Sequence, residues 1–168
     1  MENIGDLIVF EGLDCSFKET NAKLFKQYLE EKYKGEKEVI LHSFPTYESD
    51  SSYFVKEYLA GRYGSQDNLL STSISIFFMI DMFDFFNKIG NKVLSDGGIV
   101  ILDRYWYSNI YYRLGELKKE EEDDDRPISY IGKELYNWID NISKYLDLPK
   151  ADIVFKMNTE KNAMIDTV

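Results

Sequence analysis

The stretch Leu7–Thr20, LIVFEGLDCSFKET, constrains this chain more than any other. Leu7, Ile8, Val9 and Phe10 form a short apolar run that reads as a buried strand. Residues Glu11 to Phe17 follow as a tight loop, and Lys18 opens a helical pattern. A strand, a loop with Gly12 and Lys18 six positions apart, and then a helix is the layout of a phosphate-binding loop. Successive backbone N–H groups and the positive end of the helix dipole face anionic oxygens in such a loop. Two positions depart from the pattern G-x-x-x-x-G-K-[ST]. Phe17 stands where the second Gly relieves steric limits on φ, so it bears on how the loop curls. Glu19 stands where a hydroxyl ligand to magnesium is expected.

Composition narrows the partners. The chain has 168 residues, 44% of them apolar, enough for one domain with its own core. Its net charge of −10 argues against a broad binder of DNA or RNA backbone. A small anionic ligand remains compatible, because one loop and two or three basic side chains suffice. A single cysteine, Cys15, leaves neither an internal disulfide nor a cysteine-based metal site. Without an N-terminal signal pattern or a membrane-length apolar run, the expected setting is cytoplasmic, with no membrane partner.

Along the chain, Thr20–Tyr33 carries Ala22, Phe25, Tyr28 and Leu29 at helical spacing, and Gly35 closes it. Val39–Ser43 reads as a second strand, which Phe44 and Pro45 leave. Ser49–Gly61 reads as a short helix with Phe54, Val55, Tyr58 and Leu59 on one face. A long helix is expected from Leu69 to Ser95, apolar almost all round and interrupted by Asp81 and Asp84. After the turn Asp96-Gly97-Gly98, Ile99–Leu102 reads as a third buried strand, ending in Asp103, Arg104 and Tyr105. Tyr107–Lys119 and Pro127–Leu146 read as helices, separated by Glu120–Asp125, a run of six acids expected to be a solvated loop. Asp152–Met157 is a fourth strand. Short apolar strands alternating with helices indicate an α/β fold, a parallel sheet with helices on both faces. Ligands on such a sheet bind beyond the carboxyl ends of the strands. Those ends carry Glu11–Lys18, Phe44-Pro45 and Asp103-Arg104-Tyr105.

These clusters suit phosphoryl transfer, which needs positioned cations and a fixed line of attack. Lys18 can meet phosphate oxygens, and Arg104 can add a forked, bidentate contact. Asp103 can orient Arg104, hold a magnesium-bound water or accept a hydrogen bond from a sugar. Phe44, Phe78, Tyr105 and Tyr107 are the aromatics available to flank a planar base. The alternatives are structural: a salt bridge at Asp103 and Arg104, core packing for Phe78 and Tyr105, and a small loop filler at Cys15. His42 reads as structural.

With these residues in order, the chain resembles the thymidylate kinases. The resemblance rests on LIVFEGLD-x-S-x-K-x-T, the Phe44-Pro45 pair, DGGIVILDRY-x-x-S and PKADIVFKM, and spans roughly Leu7 to Met157. It implies a three-layer P-loop kinase-like fold in one domain, with transfer of the γ-phosphoryl of ATP to dTMP using Mg2+. It places Gly12, Asp14, Cys15, Ser16, Phe17, Lys18, Glu19 and Thr20 around the ATP phosphates. Asp14, Phe44, Phe78, Arg104, Tyr105 and Ser108 fall to the monophosphate, with Phe78 stacking on the base and Arg104 bridging the phosphates. Lys18, Arg104 and Asp103 are the implied catalytic set, with Asp103 and Glu19 as metal ligands. The long helix is implied to pair two copies as a homodimer. Further departures accompany the likeness. Thr46 and Tyr47 stand where the family has an Arg after Phe-Pro, and Met82 stands at its second phosphate Arg. Lys56, Lys88 and Arg113 are the candidates to compensate. The basic lid, last strand and last helix of the family have no counterpart before Val168. The competing expectation is a catalytically silent homologue that binds a nucleotide or a protein.

Overall fold

The computed structural model describes residues 5–64, 71–110 and 128–158. In chain order its elements are β1 (Asp6–Gly12), α1 (Lys18–Tyr33), β2 (Val39–Ser43), a 3-10 turn (Asp50–Ser52) and α2 (Tyr53–Leu59). They continue as α3 (Ser71–Phe85), a π-helical turn (Phe86–Gly90), α4 (Asn91–Ser95) and β3 (Ile99–Asp103). Then come α5, described over 106–110, α6 (Ile128–Tyr145) and β4 (Ile153–Met157). The acidic run Glu120–Asp125 and most of the expected helix Tyr107–Lys119 lie outside the described residues. No described helix is long and apolar enough to cross a membrane.

The described residues fall into two compact units. The first takes those within Met1–Phe44, Phe86–Tyr105 and Lys150–Val168. It holds a four-stranded parallel sheet in the order β2-β3-β1-β4. All of Leu7–Glu11 and all of Ile99–Asp103 are buried, so the two central strands are covered on both faces. That burial is why their sequences run apolar without alternation. On one face Ile8, Phe10, Ile99 and Ile101 pack with Ala22 and Leu29 of α1, backed by Phe25 and Tyr33. α1 stops at Lys34, whose left-handed backbone (φ 46°) directs its N–H to the Glu30 carbonyl, 2.9 Å away, with Gly35 next. β4 differs from the other strands. It is one of the two edge strands, and Ile153, Val154 and Phe155 are each about two-fifths exposed.

The second unit takes the described residues within Pro45–Phe85 and Trp106–Pro149 and is helical. Val55, Tyr58, Ile74, Met79, Met82, Trp106, Leu135 and Ile139 are buried. Phe54 and Leu59, expected on the inner face of the short helix, are exposed. The long apolar helix is not one α-helix. It is broken at Phe86–Gly90, where the ladder shifts into a π turn. α3 also leaves Ile76, Ile80 and Phe83 exposed at positions i, i+4 and i+7, an apolar stripe along one side. Buried Asp81 explains the polar interruption of α3. Its carboxylate accepts from the Thr46 N–H at 2.7 Å and from the Ser51 hydroxyl at 2.6 Å.

Candidate active site

The loop after β1 is built by two local constraints. At Gly12 a Cβ would stand 2.6 Å from the Met157 carbonyl oxygen and 2.9 Å from Ser16 Oγ, so only glycine lets the loop leave beside β4. Cys15 and Phe17 then take left-handed backbones, φ 59° and 60°, on either side of Ser16. Alternating handedness of this kind turns successive N–H groups toward one point, an anion-binding concavity at the start of α1. The departure from glycine at position 17 therefore does not prevent the curl, because Phe17 adopts the conformation glycine would have taken. Its side chain is half exposed and makes no capping hydrogen bond, so the phenyl group offsets little of the strain. Phe17→Gly is expected to raise stability by about 0.5–1 kcal/mol, or about 1–4 °C in melting temperature. A lower melting temperature for that variant would show that the phenyl group, not the backbone, matters at this position.

Lys18 turns back over the loop. Its ammonium is buried and donates to the Leu13 carbonyl at 2.6 Å and to Ser16 Oγ at 3.3 Å. Burial, and then the Arg104 guanidinium, hold it below the usual lysine range, against the opposing pull of Asp103, Asp14 and Glu11. A cation held this way is costly without an anion, which is the condition of a site built to receive one.

The end of β3 meets this loop because strand register brings it there. Ser43, Asp103 and Phe10 lie side by side across β2, β3 and β1. The Arg104 N–H donates to the Phe10 carbonyl (3.0 Å), and the Phe44 N–H donates to the Asp103 carbonyl (3.1 Å). Arg104 has a left-handed backbone, φ 71°, and its guanidinium pairs with the Asp14 carboxylate. Buried Glu11 accepts the Tyr105 N–H at 2.9 Å. Sequence reading gave Glu11 no role. A carboxylate closing an apolar strand is the signal that marks it, since a buried carboxylate needs donors. Phe44 and Tyr105 are buried and stacked on each other with ring centres 6.4 Å apart.

Asp103 is a carboxylate that could hold a metal ion at the end of β3. Its side chain is buried, and Oδ1 has no hydrogen-bond partner among the described residues. Burial raises its carboxyl above the usual range, opposed by Lys18 and Arg104. An orphaned, buried carboxylate oxygen beside a phosphate loop fits a metal that keeps most of its own water and takes its other ligands from phosphates. Glu19 is oriented elsewhere. Its exposed carboxylate pairs with Lys23 at 2.5 Å along α1, and that hydrogen bond lowers its pKa. Thr20 and Cys15 are exposed. No group of three or more His, Cys, Asp or Glu side chains gathers among the described residues.

The structure thus brings together Gly12, Asp14, Ser16, Lys18, Asp103 and Arg104 within the first unit. Phe78 and Ser108 belong to the second. There Phe78 is half-buried on α3, and Ser108 is buried on α5.

Known proteins similar to this chain point to one family. The family model for thymidylate kinase matches residues 10–122. The thymidylate kinase of Plasmodium falciparum is 29% identical over 158 residues, covering 94% of this chain and 63% of that protein. A probable thymidylate kinase of Pyrococcus horikoshii is 33% identical over 110 residues, covering 65% of this chain and 52% of that protein. The crystal structure of thymidylate kinase from Ehrlichia chaffeensis superposes with a TM-score of 0.67 at 26% identity, over 96% of this chain and 75% of that one. The Candida albicans enzyme gives 0.65 at 25% identity, over 96% and 66%. The chain spans 63% or less of the length of these two curated relatives. A phosphate loop with Lys18 at its end, DRY after the third strand, a parallel P-loop kinase-like sheet and the family match together establish that this chain belongs to the thymidylate kinase family.

Proposed function

We propose that this chain transfers the γ-phosphoryl group of ATP to dTMP or a closely related nucleoside monophosphate. The observation that carries the reading is the grouping of buried Lys18, buried Asp103 and Arg104 around a loop whose backbone alternates in handedness. On this reading the N–H groups between Gly12 and Thr20 take the β- and γ-phosphate oxygens of ATP. The Lys18 ammonium exchanges the Leu13 carbonyl for phosphate oxygens, which satisfies the charge that burial disfavours. Arg104 exchanges Asp14 for the phosphates of donor and acceptor, and Asp14 turns to the acceptor's sugar. An oxygen of the acceptor phosphate forms its bond to the γ-phosphorus as the bond to the β,γ-bridging oxygen breaks. The electron pair leaves with ADP. Catalysis is then positioning and charge stabilisation, with no covalent intermediate on the protein.

Asp103 would hold a magnesium ion, which would supply charge neutralisation at the phosphates. Glu19 reaches the same ion only by leaving Lys23. On this reading Phe78, Tyr105, Phe44 and Ser108 fall to the acceptor nucleoside. The stripe Ile76, Ile80 and Phe83 on α3 supports pairing of two copies as a homodimer, in a cytoplasmic setting.

The test is a coupled ADP-release assay on the purified protein with ATP, Mg2+ and each deoxynucleoside monophosphate in turn. One ADP formed per diphosphate product, fastest with dTMP, is expected. Absence of turnover with every monophosphate would overturn the reading and leave a silent nucleotide-binding homologue.

A further inference from the structure

The proposed acceptor carries a dianionic phosphate, and the stacking platform assigned to it, Phe78, lies in the second unit. That unit's described cations are Lys56, Arg62, Lys133 and Lys144. Arg62 is engaged by Glu57 at 2.9 Å and Lys144 by Asp140 at 2.5 Å. Lys133 is exposed on α6. Lys56 is different in kind. It is half-buried on α2, and its ammonium reaches back to the Tyr47 carbonyl at 3.1 Å and the Ser49 carbonyl at 3.3 Å. An ammonium has three donors, so one has no partner among the described residues. No carboxylate pairs with it there.

The loop that holds this ammonium is fixed relative to α3. Asp81, three residues beyond Phe78 and therefore about one turn along the same side, takes the Thr46 N–H and the Ser51 hydroxyl. The Ser52 hydroxyl closes the loop on itself through the Thr46 and Ser49 carbonyls, at 2.8 and 2.9 Å. Both oxygens of Asp81 are thus occupied, so its charge is turned into the loop. Met82, the next residue, is buried and apolar.

We propose that Lys56 is the second unit's cation for the acceptor's phosphate in this chain. The inference rests on the kinase reading above and adds to it a specific residue on α2, whose ammonium is held by the loop after β2. Tyr47 and Ser49 present the ammonium through their carbonyls, and its remaining donor meets a phosphate oxygen.

Calorimetric titration of dTMP and of thymidine into the full chain, as wild type, Lys56→Met and Lys56→Arg, tests it. Lys56→Met is expected to weaken dTMP binding about 10- to 100-fold, the worth of one charged hydrogen bond. Thymidine, which lacks the phosphate, should bind both proteins within about twofold, and Lys56→Arg should recover most of the dTMP affinity. Equal losses for dTMP and thymidine would mean that Lys56 only shapes the loop, and would overturn the proposal. Unchanged dTMP binding in Lys56→Met, with dTMP turnover intact, would overturn it while leaving the kinase reading standing. Failure of the wild type to bind dTMP would overturn both.

Discussion

Lys18→Met is expected to lower turnover with ATP and dTMP by at least about 10²–10³-fold, the scale seen when one charge-stabilising donor is removed from a transition state. The melting temperature should stay the same or rise. The two expectations share one cause. The ammonium is buried within a loop, where desolvation and the Arg104 charge already disfavour it. In the unliganded protein, removing the charge relieves that penalty at the loss of two hydrogen bonds, to Leu13 and Ser16. With phosphates bound, the same charge has oxygens to meet, so its loss is felt in catalysis. Parallel turnover and thermal-melt measurements check both arms. A Lys18→Met protein within tenfold of wild-type activity would exclude Lys18 from the reaction. An inactive variant that also melts much lower would mean that Lys18 is mainly a structural clasp for the loop. Lys18→Arg is not expected to restore activity, since a broad planar fork does not fit where a compact ammonium is enclosed by the loop.

Gly12→Ala should have a large effect on stability. The new methyl group would stand 2.6 Å from the Met157 carbonyl oxygen, and that atom belongs to the backbone of β4, which pairs with β1 at this point. The backbone at Gly12 also has φ +153°, outside the range that alanine prefers. Clash and strain together are expected to cost about 3–4 kcal/mol, a fall of about 10 °C in melting temperature, with phosphate binding lost as the loop is displaced. Thermal melts with and without ATP would read both effects. A melt within about 2 °C of wild type would show that β4 yields at this edge, consistent with its exposed residues, and that the close approach is not a firm constraint.

Local features were legible because their causes are local. The runs Leu7–Phe10, Val39–Ser43 and Ile99–Leu102 are apolar over a few residues and fall within the observed strands, which extend at most two residues further. The helix after Lys18 ends where Lys34 and Gly35 turn left-handed. Gathering of the clusters at the strand ends followed from the parallel topology alone, since each strand in such a sheet delivers its carboxyl end to the same edge. The curl at Phe17 was open in the sequence, because the rarity of a left-handed phenylalanine says nothing about whether the surrounding loop requires one.

Other features depend on residues far apart in the chain. Asp81 reads as an interruption in an apolar helix until Thr46 and Ser51, 35 and 30 residues away, are found on its oxygens. Glu11 reaches Tyr105 across 94 residues, and Asp14 pairs with Arg104 across 90. The π turn at Phe86–Gly90 divides a stretch whose hydrophobic pattern runs on without a break.

What the amino-acid order determined by itself was the alternation of strands and helices, the phosphate loop and the set of residues available for chemistry. Each of these depends on spacing within one turn, one strand or one loop. Only the tertiary structure decided which carboxylates are held by donors and which remain open. It left Asp103 with an oxygen that has no partner among the described residues, turned Glu19 to Lys23, and set the Lys56 ammonium on the carbonyls of Tyr47 and Ser49. The physical reason is that desolvation and charge pairing depend on distance through space, which sequence spacing does not encode.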